Sequence, residues 1–299
     1  MAETTHRRGA ADRKPYAVDL VTLTTDDGML LDGALYLARK RPASKAALLI
    51  IHGKAGNFYT CVNRFLPPRF AKLGYASLSM NMRCHDLGYN RADLPSSGSA
   101  AGAFRMAGGA WEQLDAGHLD LKAGVAHLRR LGFERIVLCG HSSGGFYAVD
   151  YVSRHRDAAA LVLLSPLTTN KTPLRLWFPT DAELAAARRQ AETLVVQGRG
   201  HEIIPLRTWY HAISAASLLD RLGERQGWFD EALATVDVPT LWLYGSSEDR
   251  VDLWRRYYET MRNEQKHLSI IAGSEHQYLG HEEAVFAAIA QFLATVGIR

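Results

Sequence analysis

The sequence is poor in cysteine: Cys61, Cys84 and Cys139 are its only three in 299 residues. An odd number at wide spacing forms neither a disulfide framework nor a zinc ligand set, and it points to a reducing, cytoplasmic setting. Long apolar runs are missing too, since nothing approaches the roughly 18 to 20 consecutive apolar residues that cross a bilayer. Residues 1–14 are polar and carry no apolar stretch behind their basic residues, which is not the pattern of a secretory signal. Residues 1–15 are expected to be a disordered lead-in. Charge of one sign is also scarce, with 35 basic against 31 acidic residues for a net +4. The basic residues fall in scattered pairs such as Arg129-Arg130, Arg188-Arg189 and Arg255-Arg256. No basic stripe interleaved with aromatics appears, so nucleic acid is not an expected partner.

What is present is a globular composition, 47% hydrophobic and 22% charged, which excludes disordered, collagen-like and coiled-coil chains. The length suits one large core carrying an insertion. Residues 18–24 and 29–37 read as strands around the turn Asp26-Asp27-Gly28, a hairpin. From Ala46 the pattern changes: 46–51 is a continuous apolar run, and short, largely apolar strands follow at 75–80, 135–139, 160–164, 240–244 and 268–271. Helical spacing separates them, at 61–73, 114–131, from Gly144 to about His155, at 252–262 and from about His281. Short apolar strands alternating with helices predict an α/β fold with a mostly parallel central β-sheet flanked by helices. Between 171 and 236 the strand signals stop, and helical segments at 181–196 and 208–222 take their place. The expected organisation is therefore a body of 16–170 and 237–299 with a helical insertion at 171–236.

Gly140-His141-Ser142-Ser143-Gly144 is a G-x-S-x-G sequence that directly follows the strand at 135–139 and opens a helix. A turn this sharp forces its central residue into a strained backbone conformation, and Gly140 and Gly144 allow strand and helix to approach. Ser142 Oγ would then stand at the sheet edge, above a helix N-terminus that favours developing negative charge.

A serine hydroxyl needs a base to take its proton, and the base needs a third group to orient it. The strand at 268–271 runs into Ala272-Gly273-Ser274-Glu275-His276, which makes His276 the expected base. The strand at 240–244 runs into Gly245-Ser246-Ser247-Glu248-Asp249, where two acids compete. Asp249 is expected over Glu248, because a shorter carboxylate suits a loop already projecting toward the histidine. Both loops lie where sites gather in open parallel sheets. An oxyanion would need two donors. The backbone N–H of Ser143 is one, and that of Lys54, in the turn His52-Gly53-Lys54-Ala55-Gly56-Asn57, is the other. His52 is expected to fix that turn rather than act as a second base.

With these pieces in place, the chain from about residue 18 onward resembles the α/β-hydrolase fold superfamily, as a lidded serine esterase or lipase. Asn81-Met82-Arg83-Cys84-His85-Asp86 is similar to the family's arginine-glycine-histidine loop, with Cys84 where glycine is usual. Asp249 lies one residue further from Gly245 than the family's common spacing, which leaves Glu248 in contention. The resemblance implies a Ser142-His276-Asp249 triad cleaving a carboxylic ester, lactone or thioester through an acyl-enzyme. A C–C bond hydrolase, an acyltransferase or a ligand receptor on the same scaffold is the alternative. It implies that the insertion is a lid, with Trp177, Phe178, Trp209 and Tyr210 lining a substrate pocket. The expected partner is a small ester-like molecule; no membrane, cofactor or metal is expected, and a homodimer is compatible with the sequence. Cys84-His85-Asp86 with His52 lacks a second spaced pair for a metal site.

Overall fold

The first two strands, β1 (Tyr16–Thr24) and β2 (Leu30–Ala38), pair antiparallel with Tyr16 opposite Ala38. Gly28 closes their turn at φ 81°, a left-handed conformation that costs glycine no Cβ clash. This is a computed structural model, and it describes residues 15–39, 44–91, 106–167, 174, 177–206, 212–223 and 228–299.

From Ala46 strand and helix alternate: β3 (Ala46–Ile51), α1 (Val62–Leu73), β4 (Ala76–Met80), α2 (Gly117–Arg130), β5 (Arg135–His141), α3 (Ser143–His155) and β6 (Ala160–Leu164). After α4 (Asp181–Val196), α5 (Ala215–Leu222) and α6 (Trp228–Ala234), the alternation resumes with β7 (Thr240–Gly245), α7 (Val251–Thr260), β8 (Lys266–Ile271) and α8 (Glu282–Thr295). The eight strands form one sheet in the order β1-β2-β4-β3-β5-β6-β7-β8. Every neighbouring pair from β4 to β8 is parallel, and β2 runs antiparallel to β4.

The continuous apolar runs reflect burial on both faces. Leu48, Ile50, Val137 and Val162 pack on one side with Phe70 of α1 and Phe292 of α8. Leu49, Leu138, Leu161 and Leu163 pack on the other with Leu121 of α2 and Tyr147 of α3. The periodic segment at 114–131 begins as a single 3-10 turn, Leu114–Ala116, before α2 starts at Gly117. A Cβ at Gly117 would overlap the Tyr147 ring, so only glycine admits that close helix contact.

In the insertion, α4 opens with a capping box. Thr180 Oγ1 accepts from Glu183 N–H, and Glu183 Oε2 accepts from Thr180 N–H (3.0 Å). Helices α4 and α5 enclose a small core of their own around Trp177, Phe178, Ala191 and Leu218. Helix α6 behaves differently, although it lies within residues 171–236. Its Phe229 is buried in the body's core and stacks on Phe146 of α3. Among the described residues, no helix is long and apolar enough to cross a membrane.

Candidate active site

The parallel strands deliver their carboxyl ends to one edge of the sheet, and β5 ends there in His141. Ser142 follows with φ 54° and ψ −120°, a left-handed strain that a non-glycine residue holds only when its surroundings enforce it. They do: Ser142 N–H donates to Leu164 O (2.9 Å), and Ser142 O accepts from Gly145 N–H and Leu167 N–H. A Cβ on Gly144 would come 2.6 Å from His52 O and Ile51 O, and one on Gly140 would overlap Gly144 O. Both glycines are thus required by contact with backbone. Ser142 lines a cavity of about 840 Å³ together with Lys54, Ser143 and His276. Ser142 and His276 face that cavity with no hydrogen bond between them.

The carboxylate that reaches His276 is Glu248. Its Oε2 accepts from His276 Nδ1–H at 2.8 Å, which leaves Nε2 unprotonated when the ring is neutral. Glu248 Oε1 accepts from Gly245 N–H (2.8 Å) and from Ser165 Oγ (2.6 Å), and the side chain is only 4% exposed. Asp249, expected in this role, points to solvent on the cavity rim and makes no contact with His276. The reason is the position of the anchoring donors. Gly245 N–H and Ser165 lie back at the ends of β7 and β6, and the longer glutamate side chain spans from the turn to them and to the histidine. The extra reach that counted against glutamate is what the turn requires.

Three supporting residues carried no role in the sequence reading. Ser165, at φ 43°, holds Glu248 and lies 2.5 Å from the Tyr278 hydroxyl. Its place just after β6, at the same sheet edge, was the available signal. His141, between Gly140 and Ser142, donates Nε2–H to His276 O (2.9 Å) and so holds the histidine loop. Burial, aided by the nearby His276, pushes the His141 pKa down to about 3, so the ring is neutral. Tyr278 gave no sequence signal.

The turn after β3 is fixed by His52, as its sequence context implies. Its Nδ1–H donates to Gly53 O (2.7 Å) and its Nε2 accepts from Met82 N–H (2.9 Å). Burial pushes its pKa down to about 4. The backbone N–H groups of Lys54 and Ser143 have no acceptor among the described residues and flank the cavity that Ser142 faces.

One wall of the cavity is charged. Glu112, fully buried, accepts from Lys54 Nζ (3.1 Å) and Arg221 at Oε2 and from the Tyr147 hydroxyl at Oε1. Burial would raise the Glu112 pKa, but Arg221 and Lys54 hold it to about 2. Burial and the Arg221 charge pull Lys54 down to about 8. Trp177 lies against both cations, with Lys54 Nζ 5.3 Å and the Arg221 guanidinium 5.6 Å from its ring. Trp177 lines the cavity, whereas Phe178 does not; its ring is spent in the small core of the insertion. Trp209 and Tyr210 lie outside the described residues. His85 pairs with Asp86 (2.8 Å) and stacks on Tyr89, and no cluster of three or more His, Cys, Asp or Glu residues suited to a metal occurs among the described residues.

Residues 48–292 match the model of the alpha/beta hydrolase family. Compared with curated protein sequences, the chain has no match. Among solved structures it is similar to Est1E of Butyrivibrio proteoclasticus with ferulic acid bound, at a TM-score of 0.70 and 17% identity over 93% of this chain and 100% of that one. It is similar to the Pyrococcus furiosus esterase Pf2001 at a TM-score of 0.63 and 18% identity, over 94% of this chain and 91% of that one. A hypothetical protein of Pseudomonas aeruginosa gives a TM-score of 0.72 at 16% identity, over 95% of this chain and 94% of that one.

Proposed function

Because the chain belongs to the alpha/beta hydrolase family, we propose that it is a serine hydrolase cleaving a carboxylic ester, lactone or thioester, with Ser142, His276 and Glu248 as its triad. The observation that carries this reading is the conjunction of a strained, cavity-facing Ser142 with a His276 ring whose Nδ1–H is held by a buried carboxylate. Held so, the imidazole presents Nε2 as the proton acceptor.

His276 Nε2 takes the Ser142 Oγ proton as Oγ attacks the substrate carbonyl carbon. The oxyanion rests on the Lys54 and Ser143 N–H groups, with the N-terminus of α3 beneath it. Collapse expels the alcohol or thiol, which leaves with the proton from His276 Nε2. Water then repeats the sequence on the acyl-enzyme and frees the acid and Ser142. Two N–H groups with no acceptor among the described residues are what such an oxyanion needs. The insertion, which contributes Trp177 and Arg221 to the cavity wall, would cover the bound acyl group as a lid.

Labelling with a fluorophosphonate probe tests the nucleophile. Wild-type protein should label and Ser142→Ala should not; unlabelled wild type would refute the serine mechanism. Labelled protein that turns over no ester across a broad chain-length panel would point instead to acyl transfer or ligand reception.

A further inference from the structure

We propose that Tyr278 and Ser165 are positioning residues of the same site, a relay of two hydroxyls that aims the Glu248 carboxylate and moderates its pull on His276. This deepens the hydrolase reading and rests on it.

The direction of each bond follows from the protons available. A hydroxyl carries one proton, and an ionised carboxylate carries none. The 2.6 Å contact between Ser165 Oγ and Glu248 Oε1 therefore uses the serine proton. The 2.5 Å contact between Ser165 Oγ and the Tyr278 hydroxyl must then use the tyrosine proton. Leu243 O lies 3.1 Å from the same hydroxyl, but it already accepts from Ser165 N–H at 2.8 Å and competes weakly. With Ser165 turned the other way, its oxygen would face the carboxylate with no proton between them. The order is thus Tyr278 to Ser165 to Glu248, and each hydroxyl polarises the next. Burial pushes the Tyr278 pKa well above its ordinary value, so its proton stays in place.

Backbone strain marks the same two residues. Ser165 holds φ 43° and Tyr278 φ 58°, left-handed values that a side chain adopts at a cost, as Ser142 does. Both are buried, and neither lines the cavity, so each acts through Glu248 rather than on substrate. The Tyr278 ring belongs to an apolar cluster with Cys139, Val285 and Ile289, a place that phenylalanine would fill as well. A hydroxyl buried there costs free energy unless it is hydrogen-bonded, and its near partner is the serine on the carboxylate.

The consequence falls on the histidine. Each donor on Oε1 draws charge from the carboxylate, which leaves less of it to stabilise a protonated His276 ring. With the relay intact, the ring keeps its neutral, proton-accepting form to lower pH. Removing either hydroxyl should let the ring charge at higher pH. The other groups that face the ring or share its cavity are the neutral His141, 4.8 Å away, with Asp249, Arg250, Glu275, Lys54 and Arg221. All of them are the same in every variant compared.

The test uses full-length Tyr278→Phe, which keeps the ring and loses only the hydroxyl, beside Ser165→Ala and the double variant, all with Ser142→Ala. Nitrogen-15 NMR follows titration of the His276 ring, identified by its loss in His276→Gln. The midpoint should rise by about half a pH unit in Tyr278→Phe and by about one unit in Ser165→Ala. The double variant should match Ser165→Ala, because the tyrosine acts through the serine. An unmoved midpoint in either single variant, or a tyrosine effect that persists without Ser165, would overturn the proposal. With Ser142 restored, Tyr278→Phe should slow fluorophosphonate labelling about threefold at pH 8 and by more at pH 6. Unlabelled wild type would refute the serine mechanism and leave the NMR titration readable, so the two failures are distinct.

Discussion

Replacing Glu248 by glutamine should abolish most of the activity through the tautomer of His276 rather than through lost charge alone. The carboxylate accepts three hydrogen bonds, and two of their donors, Gly245 N–H and Ser165 Oγ, converge on Oε1. An amide in that place must keep its oxygen toward those donors, because its NH₂ would meet Gly245 N–H head-on. The amide nitrogen then faces His276 Nδ1, which can only accept, so the ring proton moves to Nε2. A histidine protonated there cannot take the proton from Ser142. The corresponding loss in a triad is about 10⁴-fold, or roughly 5.5 kcal/mol of transition-state stabilisation. Asp249→Asn removes an exposed charge without touching the ring and should cost less than about threefold. The assay is the second-order rate of fluorophosphonate labelling, read alongside kcat/KM on a p-nitrophenyl ester. Because Glu248→Gln keeps two of the three bonds, its thermal midpoint should stay near wild type, separating catalysis from folding. If Asp249→Asn loses as much as Glu248→Gln, or Glu248→Gln stays within tenfold of wild type, the argument fails.

Two further outcomes follow from burial. His52 and His141 are neutral in the fold, with pKa values pushed down to about 4 and about 3, against an ordinary 6.5. Between pH 6.5 and those values the unfolded chain binds more protons than the folded one, so stability falls as pH falls. Moving from pH 8 to pH 5 should cost about 2 kcal/mol for each ring, about 4 kcal/mol together, measured as the free energy of urea unfolding. A flat value over that range would contradict the neutral, buried placement of both rings. Gly144→Ala places a Cβ 2.6 Å from two backbone oxygens, which no side-chain rotation relieves. It should destabilise the protein by about 3 kcal/mol and slow labelling of Ser142. A variant as stable as wild type would show that α3 does not need to approach β3 so closely.

Much of the architecture was legible because it is written locally. Residues 46–51 are apolar throughout because β3 is covered on both faces, and the strand occupies those residues. Residues 181–196 form α4 over the expected span, where the Thr180–Glu183 box marks the start. The strain at Ser142 follows from two glycines four residues apart with a strand before them and a helix after. Small departures also have local causes, such as the turn at Leu114–Ala116 that precedes α2 until Gly117 meets Tyr147.

The carboxylate beside His276 and the charged wall were harder to read, for one reason: each is decided by contacts between residues far apart in the chain. Glu248 and Asp249 are neighbours at the end of one strand, and nothing in their own turn separates them. What separates them is Ser165, 83 residues earlier, and His276, 28 residues later, which converge on one carboxylate. Glu112 likewise collects Lys54 from 58 residues before it and Arg221 from 109 residues after. No spacing rule brings three charges together over such separations, and each alone reads as a solvated surface group. Their burial changes that reading. A charge in a dry wall costs several kcal/mol unless it is matched, so the Glu112 carboxylate and the cations on it hold one another in place. The residues proposed for the reaction lie in short motifs at strand ends. Lys54 belongs to the body and Arg221 to the insertion, so the Glu112 carboxylate ties the two together.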